Sequence, residues 1–438
     1  MPRRSKRMVL LSELGDAVVS HHVFADLHKL LVDTSDVDSE DEEVVSTKVL
    51  AAVQYAALMS CHYFYRGTSY HSDVRGKMMG YPMPGWKKIV LGHKYNDEEF
   101  IKIFQIPRHL FPSLLRLLKS HPAFGKHGKK QRKHFSVELH LLVLLKYMGA
   151  EGNGCSAINL KHGLGIGKGS VTNYLRRAVD AVLSLFSKTV FWPDEQERLE
   201  ISQRLREKHH FPKCVGAIDG THLGLAFKPE KDGEEYWTRK QHYAVAATLV
   251  CDDRKRIRYI NVGWPGSVHD QRVYQNSALH NNPSVFFSDR EYLLGDSAYT
   301  PSPTMVPAYK KFGGQVTLAS GQIFFNDLLS ACRVKIEHTI GIWKGRFPFL
   351  RNIRVRIAAK KDFSFLIKLV KASAIIHNLF VQQHTVPKSW LSLDDLIDAD
   401  WEGDLDADLY LSPTVTMSNL SDAARREEVH NFLSAKLQ

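Results

Sequence analysis

Three acidic residues stand where they could act together. Asp219 closes the apolar run of CVGAIDGTHLGL (214–225), Asp296 closes that of YLLGDSAY, and Glu337 lies in ACRVKIEHTIGIWKGRF. The first two repeat one arrangement, an apolar strand that breaks off at an aspartate, and a parallel neighbour would set the two carboxylates side by side. Burying two anions together is costly unless cations neutralise them. Oxygen-only ligands suit hard divalent ions such as Mg²⁺ or Mn²⁺. Asp270 is a fourth candidate, but Ser267 stands three residues before it, the spacing of a variant capping box that would make Asp270 a helix-start residue. His222 and His269 could orient a phosphate or water, or only shape their turns.

The elements around these residues read as an α/β layer fold. After the first strand comes a polar insert, KPEKDGEEYWTRK, then two apolar strands (243–251 and IRYINVGW) joined by DDRKR, which predicts an antiparallel hairpin. SVHDQRVYQNSAL reads as a helix and YLLGD as a further strand. Leu328, Cys332, Ile336, Ile340, Trp343 and Phe347 then mark one face of a long helix. Glu337 lies one residue round from that stripe, in line with Arg333 and Lys344, so it stands between the core and a basic face. Lys240, Arg333, Lys335 and Lys344 are candidate contacts for a phosphate backbone.

Upstream, residues 96–190 read as an all-α domain. Phe111, Leu114, Leu115, Leu117 and Leu118 have amphipathic spacing. The loop GKHGKKQRKHF, with Lys126, Lys129, Lys130, Arg132 and Lys133, suits phosphates or is a solvated connection. CSAINLKHGLGIGKGSVTNYLRRAVDAVLSLF has the layout of a helix-turn-helix or of an ordinary helical hairpin. Its second helix would bury Val171, Leu175, Ala178, Val179 and Val182 and turn Lys168, Thr172, Asn173, Arg176 and Arg177 outward.

The chain of 438 residues is long enough for more than one folded unit, here 96–190 and 210–384 between an irregular 1–95 and an acidic 385–438. Its net charge of +12 conceals two segments without Lys or Arg: 33–43 holds seven carboxylates and 389–424 holds nine. Without those sixteen, 59 basic residues face 31 acidic ones, an excess that suits a polyanionic partner. The last segment, with Trp390 and Trp401 among its acids, has the composition of one that folds onto a partner or masks a basic surface. PRRSKR near the start suggests nuclear import, and 47–65 a docking helix. No run of 18 apolar residues and no secretory leader is present, so a soluble, intracellular protein is expected, with no membrane association. Five dispersed cysteines without a CxxC pair argue for reduced, partly buried thiols.

The blocks VGAIDGTH, VGWPGSVHDQRVY, LLGDSAY, RVKIEHTIGIWKGRF and ASAIIHNLF resemble, in order and spacing, the nuclease of PIF/Harbinger transposases and harbinger transposase-derived nucleases, over about 100–380. The resemblance implies an RNase H-like mixed sheet with flanking helices, preceded by the helix-turn-helix part. It also implies a DDE triad at Asp219, Asp296 and Glu337 that holds two Mg²⁺ or Mn²⁺ ions, with Asp219 shared, for cutting and joining DNA. A separate Myb/SANT-like partner, a homo-oligomer on DNA and a nuclear location follow from the same resemblance. Two departures stand out: Ala298 where the family usually has Gly, and Ala244, Ala246 and Thr248 where it often has Ser, Asn and Gln. A recruited derivative that binds DNA or chromatin proteins without cutting would tolerate them. An RNase H-like nuclease acting on RNA or repair intermediates is a third reading.

Overall fold

A computed structural model describes residues 85–90, 94–125, 136–288, 290–311, 317–381 and 424–435. Two compact units divide between Lys94 and Tyr95. The described part of the first is helix α1 (Gly85–Val90). The expected helix at 47–65, PRRSKR and the acidic run at 33–43 lie outside the described residues, as does the basic loop with Lys126, Lys129, Lys130, Arg132 and Lys133.

The second unit begins with helices. Asn96 starts α2 (Asp97–Phe104) through a reciprocal cap: its Oδ1 accepts from Glu99 N at 2.8 Å and its own N donates to Glu99 Oε2 at 2.9 Å. Helix α3 (Phe111–Leu118) buries Phe111, Leu114 and Leu118 but leaves Leu117 exposed, so its apolar stripe is narrower than the spacing suggests. Helix α4 (Val137–Met148) is apolar on almost every side and is buried accordingly. Next come α5 (Ala157–Leu164) and α6 (Lys168–Leu183), joined by Gly165-Ile166-Gly167. Gly165 ends α5 with φ 66°, a left-handed cap that glycine adopts without strain. Val171, Leu175, Ala178, Val179 and Val182 of α6 are buried, as their spacing predicts. Helix α7 (Glu195–His209), capped by Asp194, leads to the sheet.

The sheet has five strands in the order β3-β2-β1-β4-β5. These are β1 (Cys214–Gly224), β2 (Ala244–Cys251), β3 (Ile257–Pro265), β4 (Tyr292–Gly295) and β5 (Met305–Pro307). β1, β2 and β3 are antiparallel, β2 and β3 forming the expected hairpin, whereas β1, β4 and β5 are parallel. The short helix α8 (Asp270–Gln275) lies between β3 and β4. Helix α9 (Ser320–Arg346) crosses the sheet, packing Phe325, Leu329, Cys332, Ile336 and Trp343 inward. Burial of each such side chain contributes about 1.5–3 kcal/mol. Helix α10 (Lys360–Phe380) is long and apolar enough to cross a membrane, yet it packs against α6 and β3 with Leu366, Leu369, Val370, Ile375 and Ile376 fully buried. The result is a mixed α/β sheet with flanking helices, the expected fold class at that level.

The C-terminal segment does not end as a loose acidic run. Helix α11 (Ala424–Ser434) inserts Val429 and Leu433 into the cluster that holds Phe325 and Leu329. Tyr309 OH donates to Glu427 Oε1 at 2.8 Å and fastens α11 beside β5. Cys155, Cys214, Cys251 and Cys332 are free and buried, in line with the expectation of reduced thiols.

Candidate active site

Parallel pairing of β1 with β4 sets the site. Ala217 is level with Leu294, and Asp219 and Asp296 each stand two residues further on, so both come to the same edge. The expectation that the first strand stops at Asp219 is corrected. β1 runs on to Gly224 because β2 pairs with it the whole way, from Ala217 opposite Cys251 to Gly224 opposite Ala244. What stops near Asp219 is the pairing on the β4 side. Asp219 Oδ1 accepts from Gly220 N, and Asp296 Oδ1 accepts from Ala298 N, each at 2.8 Å. Asp296 therefore closes a turn with one carboxylate oxygen while standing beside Asp219.

Glu337 reaches the same edge from α9. Arg333, one turn earlier, puts Nη2 at 3.5 Å from Asp219 Oδ2 and 3.6 Å from Glu337 Oε1. Its guanidinium links the two acids. Arg333 is 13% exposed and Glu337 49%, so the arginine is inside the cleft and the glutamate at its mouth.

Asp270 is closer to this group than its capping-box spacing implies. The N-cap of α8 is His269, with no side-chain cap, and Asp270 is the first helical residue. Ser267 lies two residues before that N-cap, and its main-chain N–H donates to Glu235 O at 3.2 Å. The Asp270 carboxylate lies over Gly220, where a Cβ would come within 2.0 Å of its Oδ1. A side chain at 220 would have to push the Asp270 carboxylate aside.

Burial raises the Asp219 carboxyl to about 6 despite Arg333 and the Gly220 N–H, with Asp296 and Asp270 adding to the rise. Burial, then Asp296, also raises Asp270. Tyr299, buried next to them, has its phenol pushed up by burial and then by Asp270, Asp219 and Asp296. Its hydroxyl is buried without a hydrogen-bond partner. Among the described residues no three His, Cys, Asp or Glu side chains converge closely enough to hold an ion as they stand. The chemistry of the donors nevertheless fits a hard divalent cation: the acids offer only oxygen, and the cation between Asp219 and Glu337 is a guanidinium.

The remaining candidates divide by position. Lys240, His222 and Lys344 line a cleft beside Gly220 together with Asp270 and with His242 and Arg351, two residues without a signal in the sequence. His269 is exposed, 3.2 Å from Arg239 Nη2. Lys335 lies half-buried on another face of α9, where burial and then Lys208 lower its ammonium pKa. On α6, Lys168, Thr172, Asn173 and Arg176 are exposed and Arg177 partly so, and the Arg176 guanidinium lies 5.5 Å from the Phe365 ring centroid. Ala244, Ala246 and Thr248 are buried opposite Gly224, His222 and Gly220, and the Thr248 hydroxyl has no hydrogen-bond partner.

Residues 218–378 match the DDE superfamily endonuclease family. Over those residues the chain carries a DDE superfamily endonuclease domain. HARBI1 of Rattus norvegicus, named as a candidate nuclease, is 24% identical over 290 residues, 65% of this chain and 78% of its own length. The protein named antagonist of like heterochromatin protein 1, from Arabidopsis thaliana, is 20% identical over 315 residues, 67% of this chain and 76% of its own. An ALP1-like protein from the same plant is 22% identical over 315 residues, covering 68% and 74%. No solved structure matches.

Proposed function

We propose that this chain is a metal-dependent DNA endonuclease of transposase type, with an RNase H-like sheet and with Asp219, Asp296 and Glu337 as its triad. The observation that carries this reading is the β1–β4 register, which sets Asp219 and Asp296 together in a domain of the DDE endonuclease family. Asp219 would be shared between two Mg²⁺ or Mn²⁺ ions, with Asp296 and Glu337 each completing one. Bound there, divalent ions would supply charge stabilisation for phosphoryl transfer.

The chain's own groups define the rest. Arg333 stabilises the ionised acids and is positioned to take the charge of a nearby phosphate once they are otherwise engaged. Asp270 holds the floor over Gly220. Lys168, Thr172, Asn173, Arg176 and Arg177 offer α6 as a DNA-binding helix, in a helix-turn-helix with α5. DNA ends and target are the substrates, and a Myb/SANT-like partner, a homo-oligomer on DNA and a nuclear location complete the proposal.

A second reading, a recruited DNA- or chromatin-binding derivative that no longer cuts, is favoured by the absence of a preformed three-ligand group among the described residues. Incubating the full chain and its Asp219→Asn variant with Mn²⁺ and double-stranded DNA bearing candidate terminal repeats separates the two. Cleavage by the parent, lowered about 10³-fold or more in the variant, supports the nuclease, since removing a charged catalytic group costs several kcal/mol of barrier. No cleavage, or equal cleavage by both, favours the second reading.

A further inference from the structure

β1 has an open stretch of edge next to the carboxylates. On that side it pairs with β4 at Ala217, and the next partner is Ile353, bridged to Leu225, whose N–H donates to Gly224 O at 2.7 Å. Between them no described strand covers residues 218–223. The gap is a cleft of about 350 Å³. α9 closes one side with Lys344, the segment around Arg351 another, and the tight turn 238–242 the third.

Three basic side chains face this cleft, with Asp270 at its border and Asp219 within electrostatic reach of Lys344. Lys344 Nζ donates to Thr221 Oγ1 at 2.5 Å and to His222 O at 2.9 Å, which leaves its third N–H for the cavity. Lys240 and Arg351 line the same space, and among the described residues none of the three cations forms an ion pair. Burial first, then Lys240 and Arg351, bring the Lys344 ammonium down to about 8 against the opposing pull of Asp219. Asp270 borders the cleft beside Gly220, a single carboxylate among three cations. Such convergence is stable only at the expense of self-repulsion, which an anion relieves.

Size decides which anion. The cavity is at the small end of ligand pockets, near 300 Å³, and exceeds what a bare phosphate fills. It admits one nucleotide but not a base pair. Imidazoles of His222 and His242, with ring centroids 6.5 Å apart, supply flat surfaces and donors beside the cations.

We infer that the cleft between β4 and residue 353 binds one phosphate-bearing nucleotide of an unpaired strand, gripped at its phosphate by Lys344, Lys240 and Arg351. The choice of a nucleotide rests on the nuclease reading. The anion site itself does not. Strand separation next to the cut follows, because the duplex cannot enter.

The test is titration of the full-length protein in EDTA with thymidine 5′-monophosphate, thymidine and inorganic phosphate, by calorimetry. The expected result is saturable binding of the nucleotide, at least about tenfold weaker binding of thymidine and of phosphate, and loss of about tenfold in affinity in Lys344→Gln, the scale of a charge-assisted hydrogen bond. Lys240→Gln and Arg351→Gln, at exposed positions that cannot compromise folding, are expected to lose about threefold each. Nucleotide affinity unchanged in these two variants, or equal affinity for nucleotide and phosphate, overturns the inference. Because no metal is present, a protein that binds the nucleotide yet never cuts DNA retains this site and loses only the nuclease reading. One that cuts DNA but binds nucleotide no better than thymidine loses the site and keeps the nuclease.

Discussion

Two groups of acids and arginines lie on the same hairpin and sheet, and they are satisfied to very different degrees. At the β2–β3 turn, Asp252 is fully buried and accepts from Arg256 Nε at 2.7 Å, Arg258 Nε at 2.8 Å and the backbone N of Arg254 and Arg256 at 2.9 Å. Glu197 of α7 accepts from both Arg256 and Arg258. Midway along β1, Asp219 and Glu337 share Arg333 at 3.5 and 3.6 Å, and among the described residues Asp270 and Asp296 beside them form no ion pair. The first group ties α7 to the sheet through complementary charges. The second leaves negative charge uncompensated in a partly buried edge. A fold does not need that deficit, so the deficit is the part of the molecule to be explained by a ligand.

Breaking the satisfied group has the largest expected effect on stability. Asp252→Ala leaves Arg256 and Arg258 facing each other around a buried space, and removing one partner of a buried ion pair costs about 3–5 kcal/mol. Chemical denaturation of the metal-free protein is expected to show that loss. A loss below about 1 kcal/mol would mean that the two groups are not different in kind.

The unsatisfied group should respond with the opposite sign. The Asp219 carboxyl has a folded-state value of about 6, above the unfolded value of about 3.9, so the folded protein holds its proton to higher pH. Stability from this group is full below about pH 4 and is lost as pH rises through 6. With 21% of the side chain exposed, the loss at pH 7 is on the order of 2–3 kcal/mol. Asp219→Asn is expected to raise metal-free stability by that amount at pH 7 and by nothing at pH 4. Denaturation curves at both pH values measure it, and a destabilised variant at pH 7 would remove the argument for stored charge.

How much of this was legible in the sequence depended on range. Repeated strand-then-aspartate runs gave Asp219 and Asp296, because a parallel pair in register needs only local pattern and apolar content. The helix stripe through Cys332, Ile336 and Trp343 placed Glu337 and Arg333 next to the core, since helical period is local too. Asp270 does start its helix as the spacing implies, but the N-cap is His269 rather than Ser267, and the nearness of its carboxylate to Gly220 of β1 arises only on folding. Arg351 and His242 carried no local signal, because the cleft they line exists only where β4 and residue 353 leave β1 uncovered.

The smallest expected effects are shifts of the Asp219 midpoint by its neighbours, and their signs sharpen the comparison further. Arg333 lowers that midpoint, so Arg333→Gln should move the pH at which the Asp219 stability difference appears to a higher value. Asp270 raises it and is the weakest of the contributions, so Asp270→Asn should move the same midpoint slightly lower. The readout is the difference in unfolding free energy between each variant and its Asp219→Asn partner across pH 4 to 8, a double-mutant cycle in which effects not shared with Asp219 cancel. Opposite shifts show that Arg333 acts as counter-charge and Asp270 as part of the surplus. Equal shifts of one sign would mean that both variants act by altering burial, which is the leading cause, and that the four acids do not form one electrostatic group.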